Sequence, residues 1–479
     1  MNEEIAALKP ELVWKIFANL IAIPRLSGNE SAAREYLLNL AEDAGLRCKT
    51  DHYGNLMVEK PASLGWAGCR TVILQAHLDI VGQKNTGFEF DFARDPISAT
   101  IRDGMVVADN TTLGADNGIG VALAMATMLS NDFNHCALRA IFTVEEEVGL
   151  HGASALPPEW VAYPHMLINL DSEELTKLYV GCAGGARTTF SMVPEWDNTP
   201  PGHFTMSATI SGLVGGHSGA EIHLKRGNAI KLLAHFLAIA KVMDVKISSF
   251  DGGNADNAIP REATAVFAFP GDKRDELLKI ADDYNAKIKD CESGATLTVK
   301  VEPAVKKTFT SGFQDRLLNA IINCVHGVTA MSDKIPGMTA TSNNLAIIKT
   351  APDIITIQAS QRSENDADRL ELTEQLTKHF ETAGAIAEIT GEYPGWEPNP
   401  DSGLVNLFQD AAKETLGHKL KVTAIHAGLE CGIIGALNRN LDMVSVGPNL
   451  HGIHAPGESV EIDSVNQCWK MLKHVLANA

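Results

Sequence analysis

The spacing of apolar and polar positions changes character twice along the chain. Residues 11–20 and 31–44 repeat apolar positions every three to four residues, which predicts amphipathic helices. The second is preceded by Ser27-Gly-Asn-Glu30, the pattern of a capping box. Residues 55–59 and 71–75 predict strands, and the second is apolar enough to lie inside a sheet. Residues 137–144 and 165–170 are two more buried-type strands, and the apolar run 121–129 predicts a helix before them. Strand–helix alternation over residues 1–183 predicts an α/β unit with a mostly parallel central sheet.

After Gly181-Cys-Ala-Gly-Gly185 the texture shifts. Residues 204–210, 263–269, 295–301 and 354–358 alternate as half-exposed strands do, with helical patterns at 226–243, 272–288 and 365–383. That predicts an inserted α+β domain. Tyr393-Pro-Gly-Trp-Glu-Pro-Asn-Pro400 reads as the hinge that returns from it. Residues 401–479 resume the α/β pattern, with a helix near 402–416 and a strand at 441–446. The expected organisation is a first domain in two parts, 1–185 and 399–479, interrupted by an insert at 186–398.

Composition narrows the function classes. At 479 residues the chain exceeds one simple core, and 45% hydrophobic with 21% charged residues is ordinary globular usage. A net charge of −19 argues against nucleic acid as a partner, because phosphates need a basic surface. The acidic start lacks the pattern of a signal peptide, and the longest apolar run, 118–129, is too short to span a bilayer. Eight scattered cysteines without a Cys-x-x-Cys pair predict reduced thiols in a cytoplasmic protein, and no thiolate metal site.

The chemistry gathers at strand ends. Residues 71–75 run into Ala76-His77-Leu78-Asp79, and ligand sites of open α/β sheets lie beyond the carboxyl ends of strands. His77 and Asp79, two apart on extended chain, face one side, so Asp79 can orient the imidazole. Thr112-Leu-Gly-Ala-Asp-Asn-Gly-Ile-Gly120 presents Asp116 from a glycine-rich turn, and one carboxylate has two oxygens for two cations. Strand 137–144 ends in Glu145-Glu146-Glu147, where stacked like charges call for a cation or a held proton. Asn169-Leu-Asp171 and His451-Gly-Ile-His454 complete the series. Each motif alone has a bland reading as a cap or a solvated loop. Their coincidence is much harder to explain that way.

In order and spacing, His77-x-Asp79, Asp116, Glu146-Glu147-x-Gly149, Asn169-x-Asp171 and His454-Ala-Pro resemble the signature of the co-catalytic dizinc exopeptidases. Gly215-Gly-His-Ser-Gly, Asn257-Ala-Ile-Pro and His426-Ala-Gly-Leu-Glu-Cys-Gly432 are similar to the branch of that family that cleaves aminoacyl-histidine dipeptides. The resemblance implies a catalytic domain with a lid as the insert, and two Zn2+ per chain, with Mn2+ or Co2+ as substitutes. Asp116 would bridge the ions, His77 and Asp171 would complete one site, and Glu147 and His454 the other. Glu146 would be the general base and Asp79 the orienting residue. His217 would stabilise the oxyanion with Asn257 as its companion, and Arg362 would grip the substrate carboxylate.

The implied activity is hydrolysis of unblocked dipeptides, Xaa-His such as carnosine included. A metallo-carboxypeptidase or an N-acyl-amino-acid deacylase would share every metal ligand, and a non-catalytic binding protein is the remote alternative. Two successive strand–helix stretches, 204–269 and 295–383, predict a doubled lid, although no sequence repeat marks it. A doubled lid implies that His217 serves its own chain, so that a homodimer, which the family allows, is not needed to build the site.

Overall fold

Four parallel strands aim their carboxyl ends the same way, and this sets where the chemistry gathers. In the computed structural model, which describes residues 2–163 and 166–479, the chain forms two units. The first comprises Met1–Cys182, Trp396–Ala424 and Leu429–Ala479. The second comprises Ala183–Gly395, together with Ile425–Gly428 from beyond the proline-rich hinge.

The first unit holds an eight-stranded sheet in the order Arg47–Thr50, Leu56–Lys60, Leu138–Thr143, Val72–His77, Met166–Asn169, Asp442–Ser445, Lys177–Cys182, Lys421–Ile425. The four strands from Leu138–Thr143 to Asp442–Ser445 are mutually parallel, and the flanking pairs of known register are antiparallel. Every residue of Val72–His77 and of Met166–Asn169 is buried, as their mostly apolar sequences predict for central strands. Of the strand expected at 165–170, His165 lies outside the described residues.

A small sheet in the same unit orders Leu450–His451, Ser459–Glu461, Met105–Ala108 and Ala99–Arg102. It suspends the loop that carries His454 beside the strand that leads to the Asp116 turn. The helix after that turn is Ala115–Leu129, six residues earlier than its apolar run, with Asp116 and Asn117 in non-helical conformations inside it. The expected capping box is absent. The N-cap position of the helix Ser31–Asp43 falls on Glu30, whose side chain makes no cap bond, and the Ser27 hydroxyl donates to Asp79.

The second unit is built on a nine-stranded sheet. His203–Ser211, helix Ala229–Ala240, Lys246–Gly252, Ala263–Pro270, helix Arg274–Ile288 and Thr296–Val301 make a β-α-β-β-α-β fold. Gly184–Met192, helix Ser311–Asn323, Thr339–Thr350, Ile355–Ser363, helix Asp366–Thr382 and Ile386–Tyr393 make another with the same strand order, joined edge to edge. The duplication is therefore nested, one copy lying between the first strand and first helix of the other. That corrects the tandem reading of 204–269 and 295–383. It also explains why no repeat of fixed period shows. The two copies share one core, in which the rings of Phe190 and Phe380 stack 4.0 Å apart.

Candidate metal centre

The strand ends and loops of the first unit bring four side chains together around Asp116. Asp116 Oδ1 lies 3.2 Å from His77 Nε2, and its Oδ2 lies 3.1 Å from His454 Nε2. His77 Nε2 is also 3.2 Å from Asp171 Oδ1, and His454 Nε2 is 2.9 Å from Glu147 Oε1. Each Asp116 oxygen thus faces one histidine that is shared with one further carboxylate. Ligand atoms of a tetrahedral zinc ion lie about 3.4 Å apart, given bonds near 2.1 Å, and each of these four contacts is close to that spacing. Ligand atoms of His77, Asp116 and Glu147, from the two sides, also lie within 4.8 Å of one another. Nitrogen and oxygen donors without thiolate suit a catalytic rather than a structural zinc site. His451, exposed in its short strand, is not part of the set.

Asp79 holds the surroundings in register. His77 Nδ1 is 3.1 Å from the Asp79 carbonyl oxygen and 3.4 Å from its Oδ1, which leaves Nε2 for the cluster. The same carboxylate accepts the backbone N–H of Glu146 at 3.0 Å and of Glu147 at 3.1 Å, and the Ser27 hydroxyl at 2.7 Å. Burial pushes its pKa up, but hydrogen bonds and the His77 charge outweigh that and hold it at about 2. Of the three consecutive glutamates, Glu147 meets His454, while Glu145 turns to Tyr53 and His151.

The cluster is strongly anionic. Burial alone would depress the His77 pKa, yet the Asp171 charge and the hydrogen bonds of Asp116 and Asp171 raise it well above its ordinary value. His454 is raised to about 10 by its bonds to Asp116 and Glu147. Burial raises Asp171 to about 6, and it raises Glu146 well above the usual carboxylate range, helped by the charges of Asp171, Glu430 and Glu147. Sites that draw protons this strongly also draw metal cations.

His217, Asn257 and Arg362 lie in the second unit. His217 Nδ1 accepts the backbone N–H groups of Gly219 (3.2 Å) and Ala220 (3.0 Å), so the ring proton sits on Nε2. Burial and the Arg362 charge lower its pKa, favouring that neutral form. His217 and Asn257 line one cavity of about 820 Å³. Arg362 Nη1 donates to the Tyr393 hydroxyl at 2.8 Å, and its buried Nε has no hydrogen-bond partner among the described residues.

Sequence reasoning missed several neighbours. Asn117 donates through Nδ2 to Asp171 Oδ1, joining two of the motifs. Glu430 is fully buried, accepts from Gln75 and from Thr143 (2.8 Å), and burial lifts its pKa to about 7. In the second unit His426 Nε2 lies 2.7 Å from Ser342 Oγ, whose strand position pairs with Arg362. Both Glu430 and His426 stand in a motif noted above, but nothing in the motif says what they touch.

The profile of Peptidase family M20/M25/M40 matches residues 73–478. The cytosol non-specific dipeptidase of Escherichia coli (strain K12) is 38% identical over 481 aligned residues, 99% of this chain and 98% of that protein. The aminoacylhistidine dipeptidase from Vibrio alginolyticus superposes with a TM-score of 0.91 at 37% identity, covering 99% of this chain and 98% of the other. The aminopeptidase PepT from Bacillus cereus ATCC 10987, at 17% identity and a TM-score of 0.57 over 98% of each chain, shares the fold. Among the described residues no helix is long and apolar enough to cross a membrane. With its profile match over residues 73–478 and a near full-length relative at 38% identity, the chain belongs to Peptidase family M20/M25/M40 and is a metallopeptidase.

Proposed function

We propose that the chain is a zinc-dependent dipeptidase of the cytoplasm that hydrolyses unblocked dipeptides, Xaa-His dipeptides such as carnosine among them. The observation that carries this reading is the two-sided environment of Asp116, each oxygen facing a histidine and a partner carboxylate. Its near full-length likeness to two proteins named as dipeptidases supports the substrate class.

His77, Asp116 and Asp171 would hold one ion, and Asp116, Glu147 and His454 the other. Zinc bound there would polarise the scissile carbonyl and lower the pKa of water to about 7. Glu146, its basicity raised by burial and neighbouring carboxylates, takes a proton from the attacking water and passes it to the leaving amine nitrogen. Asp79 keeps Glu146 and Glu147 in place through their backbone N–H groups. His217, with its proton on Nε2, donates to the tetrahedral oxyanion, and Asn257 assists it. Arg362 holds the substrate carboxylate, for which a planar guanidinium is well shaped.

The test is an assay of the zinc-loaded protein on Xaa-His dipeptides, tripeptides and N-acyl amino acids side by side. Turnover should be fastest on the dipeptides and vanish on chelation. Faster cleavage of longer peptides or of N-acyl amino acids would replace the reading with a carboxypeptidase or a deacylase.

A further inference from the structure

Two buried charged side chains of the first unit, Arg25 and Glu458, have no part in the roles above, yet both converge on the turn that presents Asp116. Glu458 is 2% exposed. Its Oε2 accepts the backbone N–H of Leu113 (2.8 Å) and Gly114 (3.0 Å), and its Oε1 those of Ala115 (2.8 Å) and Asp116 (3.1 Å). Four consecutive N–H groups on one carboxylate leave the turn no freedom to move alone. Glu458 stands four residues after His454, in the loop between Leu450–His451 and Ser459–Glu461. It therefore ties the His454 loop to the Asp116 turn.

Arg25 is 1% exposed and makes the other tie. Its Nη1 donates to the Leu78 carbonyl and its Nη2 to the Gly114 carbonyl, both at 2.6 Å. Leu78 directly follows His77. The guanidinium thus spans the His77 strand end and the Asp116 turn, a reach that needs a fork rather than a point charge. Gly114 and Gly118 leave room for it: a Cβ would approach Arg25 Nη2 to 2.9 Å at the first and 2.4 Å at the second. Arg25 thereby accounts for Gly118, and it adds to the left-handed φ of 72° that already favours glycine at position 114.

We propose that Arg25 and Glu458 are positioning residues with divided duties. Arg25 sets the spacing of Asp116 to the His77–Asp171 half of the centre, and Glu458 sets its spacing to the Glu147–His454 half. This rests on the two-ion reading above. Loss of either tie weakens the ion on its own side more than the other.

The experiment measures zinc affinity by competition with a chromophoric chelator, in two backgrounds that each keep one half-site. In His454→Ala, Arg25→Lys should weaken the remaining ion 10- to 100-fold, the usual range for residues that support ligands, and Glu458→Gln by only about 3-fold. In His77→Ala the order should reverse. Gly118→Ala, which crowds Arg25 without replacing it, should follow the pattern of Arg25→Lys and serves if that variant does not fold. Glu458→Asp, which keeps the charge but shortens the reach, serves likewise for Glu458→Gln. The Co2+-loaded proteins should show altered visible spectra in the matching background only. Equal weakening in both backgrounds, or lower melting temperatures with unchanged affinity, would overturn the proposal. Fewer than two ions on the unmodified chain would instead overturn the two-ion reading.

Discussion

Glu147 Oε1 lies 2.9 Å from His454 Nε2, although 307 positions separate them in the chain. The pair is made by two different sheets, the strand Leu138–Thr143 of the large one and the hairpin of the small one. It also separates the two adjacent glutamates, since Glu147 turns to the cluster and leaves Glu146 to do something else.

On the proposed roles, Glu146→Gln should lower kcat by a factor of about 10²–10⁴, the range for losing a general base, with both ions retained. Glu147→Gln should keep one ion tightly and lose affinity for the other. Metal analysis of the two purified variants checks this. The opposite pattern would exchange the roles of the two residues.

Asp79→Ala should reduce metal affinity or activity about 10–100-fold, less than loss of a direct ligand. Its carboxylate orients His77 and also fixes the backbone of Glu146 and Glu147, so both kcat and affinity should fall. A variant that behaves like the parent would show that Asp79 does not position the centre.

His217→Ala should leave zinc content untouched and lower kcat about 10²–10³-fold, as loss of one oxyanion donor does. His217→Gln, which keeps an N–H donor, should recover part of that. Steady-state kinetics with zinc analysis decides. An effect confined to KM would assign His217 to substrate binding instead.

In the chelated protein His454 has a pKa of about 10, raised above the ordinary value near 6.5 by Asp116 and Glu147. A histidine raised in the folded state adds stability that is complete below about pH 6.5 and lost as pH climbs to about 10. The melting temperature of the chelated protein should therefore fall over that window, and fall less in His454→Ala. Zinc uptake at pH 8 should release protons, which calorimetry in buffers of different ionisation heat measures. Equal slopes for the two proteins would show that His454 is not held by these carboxylates.

Much of the centre was legible because buried parallel strands are nearly continuous apolar runs. Once 71–75, 137–144 and 165–170 read as central strands, His77, the glutamates and Asp171 had to stand at one edge. Asp116 stood out through its glycines. What stayed hidden were residues whose partners are backbone groups far along the chain. Glu458 binds N–H groups more than 340 positions away, and a lone glutamate carries no mark of that. Ser27 read as a helix cap because its spacing to Glu30 is right, yet Asp79, 52 positions on, takes its hydroxyl. The doubled insert was visible as texture, but nesting erased its period.

In the proposed centre Asp116 would join two metal ions. X-ray data collected at the zinc absorption edge from crystals of the zinc-loaded protein test it directly. Two anomalous peaks about 3.5–4 Å apart are expected, one beside each Asp116 oxygen, the first near His77 and Asp171 and the second near Glu147 and His454. A single peak, or two that do not share Asp116, would contradict it.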